Sequence, residues 1–583
     1  MKKPHVATSA LDIDCRPLPL AVLHLRGTQV QMGEQHGRLL KQIGGWEPAQ
    51  AYYPKMVGQM IRGGAIHPFD RLAPTLAQPL IALLTQRLLR HRPRELRART
   101  NAFFTALGVS VDQAQHILAM DIFQNFIGLA GRHALGPFAD PWLQQAVPAC
   151  STLMAWGAAT EDERILHGRN FDFPGVGIWD MAPAVVFCTP DQGPRYAFST
   201  TRGADTPGIT AWNEEGLTVT AHTRLHRDVS FSGAAIVDLC HDIARNATTL
   251  KQAETIVRER RVASTWGLSI SSASERRAAV IECHAAGVAV VGPEGDQPWR
   301  TCTNHYLADS LRPRELAPSP GWTWHTHSRK KRLEQAAQAA ISEQPLDVAT
   351  LFGWLGDTHD ADEPAMQRVA GGVLAQATSV QSVVSDPERQ TLHLSVGRCP
   401  TGRGGAYAVK WDWDSPVGVQ ELQVNDAPVH AQVSRFDRDE DQAAHRHYLR
   451  AAQVEAQGGD PHVVGHHLTT AAELLPDEPT LQLMSGAVAL RRGDLTGALG
   501  LFERGIAAEK SAFPRGRLHL WASRAAVHLG DAAATEKHRQ ALLALPHPLL
   551  TPLKERAREE RNKPYALRKL RTVALHTLLG DIG

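Results

Sequence analysis

The sequence predicts an α+β fold in which a large domain of stacked sheets and helices lies between a helical N-terminal segment and an all-α tail. Three observations carry this. Apolar residues recur at three and four along much of the first 149 residues, as in VDQAQHILAMDIFQNFIGLAG. After Pro148, short β-branched or aromatic runs bounded by Gly, Pro, Asp or Asn take over, with helical stretches between them. Beyond about residue 440, Gly-Asp pairs recur at 459/460, 493/494 and 530/531 within helical texture.

In order, residues 20–30 (LAVLHLRGTQV) read as a strand and MGEQHGRLLKQI as the start of a helix, with Met32, Leu39 and Leu40 as buried positions. A helical pattern runs from Pro79 to about His133, so residues 1–149 form a helical N-terminal or precursor segment. The strand runs between 150 and 425 include STLMAWGAA, RILHGRNFDF, APAVVFCTP, LTVTAHTRL, RAAVIECHAAGVAVV and TLHLSVG. AAIVDLCHDIARNA, LKQAETIVRER, SRKKRLEQAAQAAISE and DVATLFGWLGD are the interposed helices. Residues 426–445 read as a linker by their charge, and 446–583 as helical repeats. The Gly-Asp spacings of 34 and 37 are those of tetratricopeptide-type units. Gly486, Ala498 and Phe502 fall where such a unit wants small, small and aromatic residues; a non-repeat helical bundle is the alternative. The tail is expected to form a separate domain that recruits a protein partner or covers the site entrance.

The 62 Lys+Arg nearly balance the 60 Asp+Glu, so no net field recruits nucleic acid or an anionic membrane. No run of 18 apolar residues signals a membrane span, and the N-terminus, broken by Pro17 and Pro19, does not read as a signal peptide. Seven cysteines without a C-x-x-C pair point to free thiols, and a reducing cytoplasm is the expected location.

The G-x-S-x-G, H-E-x-x-H, Walker and G-x-G-x-x-G signatures are all missing. The clusters HTH (325–327), DTHDAD (357–362) and HRH (445–447) show no recurrent ligand spacing, so no metal is expected. Cys150 stands out by its surroundings. It opens a strand, an acidic turn (TEDER) follows, and a second strand delivers Gly168-Arg169-Asn170-Phe171-Asp172. Paired as a hairpin, these strands return a cation, Arg169, and a carboxylate, Asp172, close to the thiol. The competing reading is a buried structural cysteine beside a strand-end ion pair.

C-S-T-L-x-A-W-G followed by L-x-G-R-N-F-D resembles the isopenicillin N acyltransferase-like family of autoproteolytic cysteine N-terminal-nucleophile hydrolases. R-G-T-Q-V-Q-M-G-E-Q-H-G (26–37), W-N-E-E-G-L-T-V-T-A-H-T (212–223), T-N-H-Y (303–306) and S-V-V-S-D-P-E-R-Q-T-L-H-L-S-V-G (382–397) resemble further family stretches in the same order. The resemblance implies an αββα sandwich and self-cleavage between Ala149 and Cys150. Cleavage frees an α-amine that titrates near about 7.7–8.0 and serves as general base to the thiol of the same residue. It implies Cys150 as nucleophile, Arg169 and Asp172 as holders of substrate and amine, and Asn304 as oxyanion donor, a role worth about 3–4 kcal/mol in comparable sites. A second oxyanion donor is expected as a backbone N–H near His222 or Thr223. Arg332 is a candidate supporting arginine, with a solvated helix start as its alternative.

The expected reaction is amide hydrolysis or acyl transfer at a linear C–N bond through an acyl-thioester, on a small-molecule amide or acyl donor and without a cofactor. Hydrolase and transferase differ only in whether water or an amine intercepts the thioester. Two other classes compete: an unprocessed ester or lipid hydrolase of phospholipase-B-like type, and a silent interaction protein working through its repeats. The presence of Cys150, Arg169, Asp172 and Asn304 together argues against the silent protein, because no packing requirement demands all four.

Overall fold

The computed structural model describes residues 16–53, 83, 85–110, 118–131, 149–207, 209–423, 434–577 and 579–583. Parts of the expected 79–133 helical run, Pro148 and residues 426–433 of the expected 426–445 linker lie outside these residues.

Strand β1 (Leu20–Gly27) leads into helix α1 (Gln29–Ile43), which begins where Thr28 and Gln31 form a reciprocal capping box. The glycines of the MGEQHG stretch have a packing reason. A Cβ on Gly33 or Gly37 would lie 2.2 or 2.4 Å from the carbonyl oxygens of Arg99 and Phe103, on helix α2 (Arg94–Leu107) crossing α1. Helix α3 (Ala119–Gly131) follows.

Strands β2 (Ala149–Ala155) and β3 (Leu166–Asp172) form the hairpin expected around Cys150. Five antiparallel-paired strands come next: β4 (Pro183–Pro190), β5 (Tyr196–Thr201), β6 (Thr210–Asn213), β7 (Leu217–Thr223) and, after helices α4 (Ile236–Asn246) and α5 (Leu250–Arg260), β8 (Trp266–Ser272). Then come β9 (Arg277–His284), β10 (Gly287–Val291), β11 (Trp299–Cys302), helices α6 (Pro320–Ser342) and α7 (Val348–Leu355), β12 (Ser379–Asp386), β13 (Thr391–Ser395), β14 (Ala406–Lys410) and β15 (Gly418–Leu422). Among the described residues they build a nine-stranded sheet, β10-β9-β8-β7-β6-β5-β4-β1-β15, and a six-stranded sheet, β11-β2-β3-β12-β13-β14. The parallel pair β1–β4 places the N-terminal strand inside the larger sheet.

The fold is therefore mixed α+β, and its sheets meet face to face. Val185, Phe187 and Trp212 of the larger sheet pack with Val383, Leu392 and Leu394 of the smaller. Polar pairs also cross the interface, such as Thr218–Ser385 at 2.9 Å and His167–Ser271 at 3.0 Å. Helices α1, α2, α4 and α5 share an apolar core with the larger sheet, and α6 and α7 with the smaller.

The tail comprises α8 (Asp439–Ala456), α9 (Pro461–Leu474), α10 (Pro479–Arg492), α11 (Leu495–Ala508), α12 (Ala512–Leu529), α13 (Ala532–Ala544) and α14 (Thr551–Asn562). Its Gly-Asp pairs are stop–start devices. Gly493 and Gly530 end helices at φ +80° and +75°, and Asp460, Asp494 and Asp531 cap the helices that follow. The expected separate tail packs instead against the two-sheet region. Tyr448, Leu483 and Met484 share one core with Phe171, Phe173, Val369 and Ala370. Trp324 of α6 stacks on Phe513 at 5.7 Å. Apolar surface on α8, α10 and α12 is thus buried against the two-sheet region as well as against neighbouring helices. Among the described residues no helix is long and apolar enough to cross a membrane.

Candidate active site

Strand register assembles the site. In the β2–β3 hairpin Ala149 faces Asp172, Cys150 faces Phe171 and Thr152 faces Arg169. On the other side of β2, strand β11 pairs through Cys302 with Thr152 and then stops. Two residues further on, Asn304 arrives beside Cys150 and its Oδ1 accepts the Cys150 N–H at 2.9 Å. A side chain thus takes over where the backbone ladder ends.

Cys150 is 2% exposed. Arg169 Nη2 donates to its Sγ at 3.3 Å and to the Ala221 carbonyl at 2.8 Å. Arg169 Nη1 donates to Thr210 Oγ1 at 2.8 Å and to the Ile209 carbonyl, and the guanidinium lies 4.9 Å from the Phe171 ring. The cation is therefore rigidly held beside the thiol. Asp172 accepts from Ser379 Oγ at 2.6 Å through Oδ1, while its buried Oδ2 accepts no hydrogen bond from the protein.

Arginine 329, not Arg332, completes the cluster. Arg329 Nη1 donates to the Cys150 carbonyl at 2.6 Å and to Ser151 Oγ at 2.8 Å. Its Nη2 donates to Asn304 Oδ1 at 2.8 Å, and its guanidinium lies 4.0 Å from Asp172. Arg332 points elsewhere, to Asp357, with its guanidinium 4.7 Å from the Trp354 ring. The helical period holds the reason. Trp322, Thr326, Arg329, Leu333, Ala336 and Ala340 form the buried stripe of α6, and Arg332 sits on its flank. That stripe is the signal in the sequence that identifies Arg329. Thr326, whose hydroxyl accepts the Asn304 N–H at 2.9 Å, belongs to the same stripe.

His222 and Thr223 lie at the end of β7. His222 Nε2 contacts Thr152 Oγ1 at 3.0 Å and Ser269 Oγ at 3.1 Å, between the sheets. The Thr223 carbonyl accepts from Asn304 Nδ2 at 3.3 Å, so Thr223 touches the cluster through an acceptor. Next to it, the buried Arg224–Glu282 pair at 2.9 Å braces the turn after β11, because Glu282 also accepts the N–H groups of Leu307 and Ala308.

Burial dominates the electrostatics. It pushes the Cys150 thiol up against the pull of Arg169, and Asp172 adds to the rise. It also raises the Asp172 carboxyl, against Arg329, Ser379 and Arg169. Burial and then Arg169 hold His222 well below the usual histidine range, and burial and then Arg329 do the same to His325. Both rings are neutral at pH 7.

Among the described residues, the one cluster with metal-ligand geometry is His226, Asp228 and His284. Its chemistry does not fit an ion. The two rings are stacked at 4.1 Å and 6°, so their in-plane lone pairs run side by side and do not converge. His226 Nδ1 accepts the Asp228 N–H, His226 Nε2 donates to the Leu311 carbonyl, and His284 Nδ1 accepts the Ala286 N–H. A surface cleft lined by Asp242, Asn246, Glu259 and Arg260 shares no residue with the Cys150 cluster.

No family model matches the chain, and no curated protein matches it. Among solved structures, an N-acylethanolamine-hydrolyzing acid amidase ortholog from Caenorhabditis elegans aligns at 16% identity with a TM-score of 0.30, covering 41% of this chain and 93% of that chain.

Proposed function

We propose that this protein is a self-processing cysteine amidase or acyltransferase of the N-terminal-nucleophile class, its two sheets and flanking helices forming an αββα sandwich. The observation that carries the reading is the convergence of Arg169, Asp172, Asn304 and Arg329 on both the thiol and the backbone of Cys150. A structural cysteine needs none of these.

In processing, the Cys150 sulfur attacks the Ala149 carbonyl carbon and loses its proton. The C–N bond breaks as its nitrogen takes up a proton. Water then hydrolyses the resulting thioester, giving an Ala149 carboxylate and returning the thiol with a free α-amine. That amine occupies the position of the present Cys150 N–H, within reach of Asn304 Oδ1. Burial holds both neighbouring histidines neutral, and their Nε2 atoms are turned away to Thr152 and Gln376, so the α-amine formed on the nucleophile itself is the fitting base.

In turnover, the α-amine takes the thiol proton and the sulfur attacks the substrate amide carbon. The amine leaves with that proton, and water or a second amine cleaves the thioester. Asn304 Nδ2 carries two N–H groups, one directed at Thr223, leaving the other for the developing oxyanion. Arg169 favours the thiolate. The substrate is a small-molecule amide or acyl donor, the reducing cytoplasm keeps the nucleophile a thiol, and a protein partner is proposed for the tetratricopeptide-like tail.

Intact mass and a denaturing gel of the purified chain test the reading. Two fragments meeting at Ala149/Cys150 are expected. A single chain whose Cys150 reacts with no amide would overturn it.

A further inference from the structure

The segment 368–379 joins two places. At its C-terminal end it holds the site. Ser379 Oγ donates to Asp172 at 2.6 Å and accepts the Gln376 N–H at 3.0 Å. Gln376 Oε1 meets His325 Nε2 at 3.1 Å, and His325 Nδ1 accepts from Arg329 Nε at 3.3 Å. Gln376 is itself fixed, since its Nε2 donates to the carbonyls of Gly371 and Val373. Two side chains that face Cys150, Asp172 and Arg329, are thus oriented from this segment.

At its N-terminal end the segment is fastened to the tail. Arg368 makes a two-pronged pair with Glu509, at the end of α11, at 2.7 and 2.6 Å. Its Nε donates to Asp360 at 2.6 Å. Both members of the Arg368–Glu509 pair are at most 2% exposed. The Val369 N–H donates to Glu478, at the start of α10, at 3.1 Å, and Ser511, at the start of α12, donates to Asp360 at 3.0 Å. The Arg368 guanidinium also lies 5.6 Å from the ring of Trp324, one residue before His325. Buried bidentate pairs fix geometry more tightly than apolar contact does. A tail that merely leaned on the catalytic region would not need one here.

We propose, resting on the reading of Cys150 as a self-processing nucleophile, that the C-terminal helices belong to the catalytic unit. Arg368 and Glu509 are positioning residues that set Arg329 and Asp172 at Cys150 through segment 368–379. Their influence runs along two branches, Gln376–His325–Arg329 and Ser379–Asp172. Glu509→Gln is the discriminating change, because Arg368 keeps Asp360 and stays paired.

The test uses the full chain in four forms: wild type, Glu509→Gln, Gln376→Ala and the double variant. The first readout is the rate of self-cleavage against pH. Each single variant should slow it by about tenfold or more, and the double by no more than the worse single, since both act on one relay. The acid limb of the rate–pH profile should move to higher pH in Glu509→Gln, because an Asp172 that loses Arg329 holds its proton longer. Rates that multiply in the double variant, or an unmoved acid limb, would overturn the relay. The second readout needs no reaction: crystal structures of wild type and Glu509→Gln at one pH. Arg329 withdrawn from the Cys150 carbonyl is expected, and an unchanged contact would refute the positioning role. A wild type that never cleaves itself, with Arg329 displaced in the variant crystal, would retire the self-processing reading and leave the positioning role supported. Should Glu509→Gln fail to fold, Glu478→Gln, which loses one of the two backbone N–H groups its carboxylate holds, takes its place in both readouts.

Discussion

Arg329 holds the carbonyl oxygen of Cys150 at 2.6 Å, across 179 residues of sequence. Asn304, itself held by Arg329, takes the N–H of the same residue. Both backbone polar groups of Cys150 are therefore fixed by side chains, at a strand end where β11 no longer reaches. A backbone pinned on both sides of the sulfur fixes its approach to a carbonyl, which is what the proposed one-residue nucleophile and base requires.

Cleavage at Ala149/Cys150 should yield fragments 1–149 and 150–583 that do not separate without denaturant. β1 is hydrogen-bonded between β4 and β15, and Arg99 of α2 is buried against Asp205 at 2.8 Å, so the first fragment is woven into the larger sheet. Gel filtration followed by a denaturing gel checks this. Cys150→Ala should stay one chain; a variant still cut at this bond would implicate an outside protease.

Replacing Asn304 by Ala should lower kcat by about 10²–10³ with a smaller effect on KM, because the lost N–H matters most in the tetrahedral state. Arg169→Ala should slow both processing and turnover, since it removes the cation 3.3 Å from the sulfur. Steady-state rates on a confirmed amide, compared with wild type, decide whether these roles are assigned correctly.

The two arginines of S-R-K-K-R should behave oppositely. Arg329→Lys keeps charge but loses the planar fork that spans Cys150, Ser151 and Asn304, and self-cleavage should slow by about tenfold or more. Arg332→Ala should leave the rate within about twofold, because Asp357 retains His359 and the site is untouched. Equal losses in both variants would contradict the assignment of Arg329.

That contrast marks how far the sequence was legible. The hairpin around Cys150 was readable because the strand–turn–strand pattern is local, and Arg169 and Asp172 follow from its register. Asn304 was readable only through the likeness of T-N-H-Y to a family stretch, since nothing local links residue 304 to residue 150. Arg329 was missed in a basic run that reads as a solvated helix start, although the apolar period of α6 points at it. The Gly-Asp turns were legible for the same local reason as the hairpin. The burial of the tail against Phe171 and Val369 was not, because a stripe that packs on a sheet looks in sequence like one that packs on another helix.

Acid should weaken the fold through histidines buried neutral between the sheets. His167 lies between Ser271 and Thr220, and burial, then Arg169, pushes it down to about 3. Its unfolded value is near about 6.5, so between the two values the unfolded chain binds the extra proton and falling pH favours unfolding. Its contribution is fully present above that unfolded value and is lost progressively as pH drops toward the folded one. From pH 7 to pH 5 the loss from His167 is on the order of 2 kcal/mol. Urea midpoints at both pH values should show a smaller fall in His167→Gln than in wild type by that amount; equal falls would mean that His167 is not held neutral.

A chain ending at Asp437 should fail to process itself. Removing α8 to α14 uncovers the face that Tyr448, Leu483 and Met484 bury against Phe171, Phe173 and Val369, and takes Phe513 away from Trp324. It also leaves Asp360 as the sole carboxylate on Arg368 and frees the Val369 N–H from Glu478. A repeat array that buried its faces only among its own units could be removed without this cost; a tail sharing a core with the site wall cannot. Large exposed apolar faces aggregate, so low solubility is the first expected outcome. Any soluble fraction should retain an intact Ala149–Cys150 bond, because Arg329 and Asp172 have lost the segment that orients them. The measurement is a solubility assay and intact mass of the shortened chain beside the full one. A soluble, monomeric shortened chain that cuts itself at the full-length rate would show that the tail is dispensable for the chemistry.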